Sequence, residues 1–211
     1  MESIFYLLAK GWPVLVIVMF VIIVNLLNRP SRSRGYIQNY RFPNRVPVML
    51  REKYTHLTDE DVADVLAALK QYFLMCRERG SDMVSMPSKV VDVAWHEFIL
   101  FTRDYEQFCR FAFGRFLHHI PAEAMGSNEL MCKGLERAWR WSCLSENIDL
   151  TTPSRLPSLF AIDERLSIPG GNFYALDSTY IRIGERKGVS GGSKYLSCGG
   201  EGCGGGCGCG G

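Results

Sequence analysis

The 211-residue chain lacks the short motifs that declare the commonest chemistries. It has no phosphate-cradling P-loop, no Gly-x-Ser-x-Gly elbow, no His-Glu-x-x-His pair and no dinucleotide fingerprint. Their absence ranks nucleotide-driven chemistry and serine hydrolysis low. Eight cysteines are present, but none forms the Cys-x-x-Cys knuckle that presets tetrahedral sulfur geometry around zinc. Net charge is only +2, too little for the basic footprint of a nucleic-acid binder, and no nucleic-acid partner is expected. There is no internal repeat. Charge of either sign is missing altogether from residues 11–27.

That uncharged run is followed by Arg29, Arg32, Arg34, Arg41 and Arg45. As a helix it spans roughly 26 Å, or roughly 36 Å when extended back to Ile4, against a hydrocarbon thickness of about 30 Å. The flanking arginines then place the C-terminal side in the cytoplasm. The expectation is a single-pass protein of the cell membrane, with its N-terminus outside and the lipid bilayer as a partner. Two other readings stay open. A cleaved signal peptide would need a basic start and a small-residue cleavage site, and a buried soluble helix would need less crowding of β-branched residues.

The expected fold is all-α. A transmembrane anchor occupies 1–28, a basic juxtamembrane linker 29–45, a helical globular domain 46–183 and a disordered glycine- and cysteine-rich tail 184–211. Thr58 serves as N-cap of the first domain helix, Asp59, Glu60 and Asp61 meet its dipole, and Gly80 stops it. A second helix is expected over 88–113, with an apolar face running from Val91 to Ala112. A third covers 128–146, and a short fourth follows Pro157. Residues 173–177 and 180–183 read as short extended pieces. Cys76, Cys109, Cys132 and Cys143 read as small buried hydrophobes. Cys198, Cys203, Cys207 and Cys209 sit among glycines, where any thiolate site would be weak and soft-metal-selective.

Of the four histidines, three come into play around the second helix. Asp92 and His96 are four apart, so their side chains can meet on one helical face. A carboxylate bonded to one ring nitrogen fixes the tautomer and leaves the other nitrogen free as base or ligand. The chain turns after Gly114 and presents His118 and His119. Asp92, His96, His118 and His119 are therefore the candidate residues of a metal or acid–base site, with a transition metal such as zinc as the cofactor. The plainer alternative is a surface ion pair and a turn packed on Trp95.

The succession Val91-Asp92, Trp95-His96, Ile99-Leu100, Thr102, Tyr105, Phe108-Cys109, Phe113-Gly114, His118-His119 and Pro121 resembles the signature of the glycine-rich-domain-containing-protein-like family. Leu156-Pro157, Leu159-Phe160 and Ala161-Ile162-Asp163 are similar to the downstream part of its bacterial version. The resemblance covers about residues 50–180. It implies a membrane-anchored bacterial protein, and carries no catalytic residue over to this chain. Two functions are expected: a membrane-tethered adaptor whose helical domain binds another membrane or cytoplasmic protein, or a metal-binding protein or metal-dependent enzyme using His96 and His118 or His119.

Overall fold

The computed structural model describes residues 2–80, 82–119, 128–176, 180–185 and 194–197. Two units are distinguished, Met1–Tyr40 and Arg41–Gly211. The first is one helix, α1 (Glu2–Asn39), which runs through the apolar stretch and on past Arg32 and Arg34. Its apolar residues 15–24 are all exposed, whereas Ile37, further along the same helix, is fully buried.

Among the described residues no helix is long and apolar enough to cross a membrane. This finding overturns the transmembrane anchor expected over 1–28. The single-pass anchored adaptor and the membrane localisation derived from it fall with it.

The second unit is mostly helical: α2 (Arg45–Lys53), α3 (Asp59–Arg79), α4 (Lys89–Ile99), α5 (Thr102–Phe113), α6 (Asn128–Ser145) and α7 (Ser158–Arg165). It also holds an antiparallel sheet in the order β1 (Asn172–Leu176), β2 (Tyr180–Glu185), β3 (Lys194–Ser197). An all-α fold is therefore not what the chain adopts. The backbone register pairs Tyr174 with Ile183 and Ile181 with Leu196, so residues beyond Gly184 join a ladder where a disordered tail was expected. The tail cysteines Cys198, Cys203, Cys207 and Cys209, and Pro121 of the His-His-x-Pro element, lie outside the described residues.

Helix α3 follows its sequence signals closely. The Thr58 hydroxyl accepts from the Asp61 amide while the Asp61 carboxylate accepts from the Thr58 amide, and Gly80 ends the helix at φ 63°. These reciprocal bonds satisfy two donors that a helix start leaves orphaned. The apolar face of α3 packs on α4 around Phe73, whose ring lies 5.8 Å from Trp95 and 4.9 Å from Phe108. Beyond this cluster, Trp139 of α6, Phe160 of α7 and Tyr174 of β1 pack edge to face in series, with centroids 5.2 and 4.9 Å apart.

The helix expected over 88–113 is two helices. The chain leaves helical geometry at Phe101 (φ −82°, ψ 63°), and Leu100 is 70% exposed. Helical geometry resumes only at Thr102, so the helical phase that would carry the face of Asp92 and His96 on to Arg103, Gln107 and Arg110 is broken.

The start of α4 is fixed by Asp163, which is 2% exposed. Its carboxylate accepts from the Ser88 hydroxyl (2.7 Å), the Lys89 amide (2.7 Å), the Val90 amide (3.1 Å) and the Asn172 amide (2.9 Å). One anion at a helix N-terminus thus ties α4, α7 and β1 together. The Ser88 hydroxyl accepts in turn from the Val91 amide. Asp92 therefore projects from a first turn whose position is set.

Candidate metal centre

Asp92 and His96 sit one turn apart on α4, and the segment after Gly114 brings His119 against them. Gly114 takes the left-handed conformation (φ 70°) that ends α5 and lets the chain double back. The returning strand of chain is held by Tyr105, whose hydroxyl donates to the Leu117 carbonyl at 2.6 Å and accepts from the Trp95 indole at 3.1 Å. The His119 ring then packs edge-on against Trp95, with centroids 4.5 Å apart.

Asp92, His96 and His119 form a cluster whose ligand atoms all lie within 4.8 Å of one another. Asp92 stands behind both imidazoles. Its Oδ1 is 2.8 Å from His119 Nε2, and its Oδ2 is 3.7 Å from His96 Nδ1. The remaining nitrogens, His96 Nε2 and His119 Nδ1, face each other at 3.3 Å. Donation from His119 Nε2 to Asp92 makes Nδ1 the lone-pair atom, so the carboxylate sets the tautomer that aims a lone pair at His96.

Exposure divides the roles. The His119 side chain is 12% exposed and that of His96 is 49% exposed, so one ring is part of the scaffold and the other is open to solvent. His118 does not join them. Its exposed ring stacks on Phe116 at 4.9 Å. The fourth histidine, His56, binds the Leu166 carbonyl at 2.9 Å and is structural. Cys109 is buried, outside the cluster, and burial pushes its thiol up, away from the thiolate that metals require.

Asp92, His96 and His119 were thus legible as candidates, but the strongest contact was not the one spacing favours. Asp92 bonds His119 across 27 residues more closely than it meets His96 one turn away. The sequence places Trp95 and Tyr105 on the apolar helical face, and its plainer alternative packs the His118–His119 turn on Trp95, but it does not show that the Trp95–Tyr105 hydrogen bond positions the 117–119 segment. The available signal was a pair of buried polar aromatics, since an indole N–H and a phenol inside a core need partners.

Chemically the arrangement can do two things. Two imidazole nitrogens backed by a carboxylate can hold a divalent metal ion, and the same chain of contacts can relay a proton between Asp92 and solvent through both rings.

A family model described as UCP032817-like matches residues 32–201. That span contains the whole 91–121 pattern and overturns its reading as the glycine-rich-domain-containing-protein-like family. No curated protein and no solved structure matches the chain.

Proposed function

We propose that this chain, which belongs to the UCP032817-like family, binds one divalent transition-metal ion in its helical domain through His96 Nε2 and His119 Nδ1. Zinc is the reference ion. Asp92 orients both rings. The observation that carries the reading is the 3.3 Å separation of the two facing nitrogens. Two nitrogens, each about 2.0–2.1 Å from a tetrahedral ion, stand about 3.3–3.4 Å apart, so the pair is already spaced for ligation. The carboxylate–histidine contact at 2.8 Å is the usual support of such a ligand. Because His96 is half exposed, the remaining positions of the ion face solvent and are open to exchange, as in sites that present a metal-bound water.

The test is calorimetric titration of the full chain with zinc, after Cys198, Cys203, Cys207 and Cys209 are changed to serine so that tail thiols do not contribute. One equivalent is expected to bind. His119→Ala and His96→Ala abolish it, Asp92→Asn weakens it about 10- to 100-fold, and His118→Ala leaves it unchanged. Absence of binding, or binding that survives His119→Ala with the fold intact, overturns the reading.

A further inference from the structure

A concavity of about 490 Å³ opens beside α5, lined by Arg103, Glu106, Gln107, Arg110, Arg115 and Phe116. It is half open to solvent, and every residue that lines it is exposed. Arg103, Gln107 and Arg110 follow at i, i+4 and i+7 and so share one face of the helix. The left-handed turn at Gly114 brings Arg115 and Phe116 to the same hollow.

Three arginines and one glutamate therefore share its lining. Arg115 is held by donation to the Gly80 carbonyl, and Arg110 lies over the Phe111 ring at 5.5 Å. Among the described residues neither Arg103 nor Glu106 makes an ion pair. Arg110, in the last turn of α5, complements the helix dipole, but Arg103 stands in the first turn, where the dipole disfavours a cation. Helix stability does not account for Arg103. Phe116 is fixed between Tyr105 (5.3 Å) and His118 (4.9 Å), yet remains 43% exposed. A flat apolar surface is thus presented at the edge of a cationic hollow.

We infer that this hollow binds a small organic polyphosphate, with its phosphoryl groups on Arg103, Arg110 and Arg115 and its organic part against Phe116. Arginine forks match phosphoryl oxygens in bidentate fashion. Arg103 and Arg110 arise about 10.5 Å apart along the helix axis, so each can take a different phosphoryl group of one ligand. The site is independent of the metal centre, since none of Asp92, His96 and His119 lines it.

The experiment is calorimetric titration of the full chain at low salt, stripped of metal and of chelator, with adenosine diphosphate, pyrophosphate and citrate as probes. The diphosphate is expected to bind more tightly than pyrophosphate, and citrate least. Arg103→Gln and Arg110→Gln each weaken both phosphates about tenfold, the scale of one charge-assisted contact. Phe116→Ala weakens the diphosphate and leaves pyrophosphate unchanged, and His119→Ala changes neither. Circular dichroism establishes that each variant is folded. No saturable binding at about 1 mM ligand, affinity that survives the double arginine variant, or citrate binding as tightly as the diphosphate overturns the inference.

Discussion

Asp92 Oδ1 lies 2.8 Å from His119 Nε2, although 27 residues separate the two in the chain. This contact, rather than the one-turn pair Asp92–His96, organises the site. It requires α4 and the segment after α5 to be held in register, and the first predictions concern what holds them.

Tyr105→Phe removes the hydroxyl that links the Trp95 indole to the Leu117 carbonyl. Two buried partners are left unsatisfied, at a cost of about 1–3 kcal/mol in urea unfolding. Zinc affinity is expected to fall as well, because the 117–119 segment loses its anchor, although Tyr105 touches none of the three cluster residues by hydrogen bond. Unchanged affinity in this variant would show that His119 is positioned by other means.

Asp163→Ala deprives one hydroxyl and three amides of their common acceptor. A loss of about 3 kcal/mol is expected in denaturant unfolding, large because one buried carboxylate serves four donors. A loss below about 1 kcal/mol would mean that water replaces the carboxylate.

Gly134 of α6 packs directly on Ser85. A Cβ there would contact the Ser85 side chain and stand 2.9 Å from its backbone nitrogen. Gly134→Ala is expected to destabilise by about 1–3 kcal/mol through overpacking, despite the helix propensity that alanine gains. A stabilised variant by thermal unfolding would show that α6 shifts freely.

Asp149 accepts from the Thr151 hydroxyl and from the Thr151 and Thr152 amides. The Thr151 hydroxyl first, and then the two amides, hold its carboxyl at about 2, below the ordinary 3.8. A depressed carboxyl contributes stability above the unfolded value and loses it as pH falls through the folded one. The contribution of this turn is therefore present above about pH 4 and is lost as pH drops towards about 2. Carboxyl-carbon resonances followed by NMR should place the Asp149 midpoint clearly below those of exposed aspartates. A midpoint near 4 would remove the effect.

What the sequence discloses and what it hides have separate physical causes. Thr58 and Gly80 bracket α3 because caps are local chemistry, and the structure reproduces both ends. The break between α4 and α5 has no glycine or proline to mark it. An apolar face continuous from Val91 to Ala112 reads as one helix, and the non-helical backbone at Phe101, with Leu100 turned to solvent, shows that it is not. His118 and His119 are adjacent and equivalent by spacing. Stacking on Phe116 takes one ring away, while Trp95 and Asp92 hold the other. Asp163 meets Ser88 across 75 residues, a distance no local pattern encodes. Absence of charge over 11–27 reads as a membrane span, yet among the described residues no helix is long and apolar enough to cross a membrane.

The central claim is that His96 and His119, rather than His118, share an ion. Nitrogen chemical shifts of the imidazole rings during zinc titration of the tail-serine chain test it most directly. His96 Nε2 and His119 Nδ1 are predicted to move together to metal-bound values at one equivalent, His119 Nε2 to stay protonated against Asp92, and His118 to stay still. Rings of His96 and His119 that do not respond, or a response carried by His118, would contradict it.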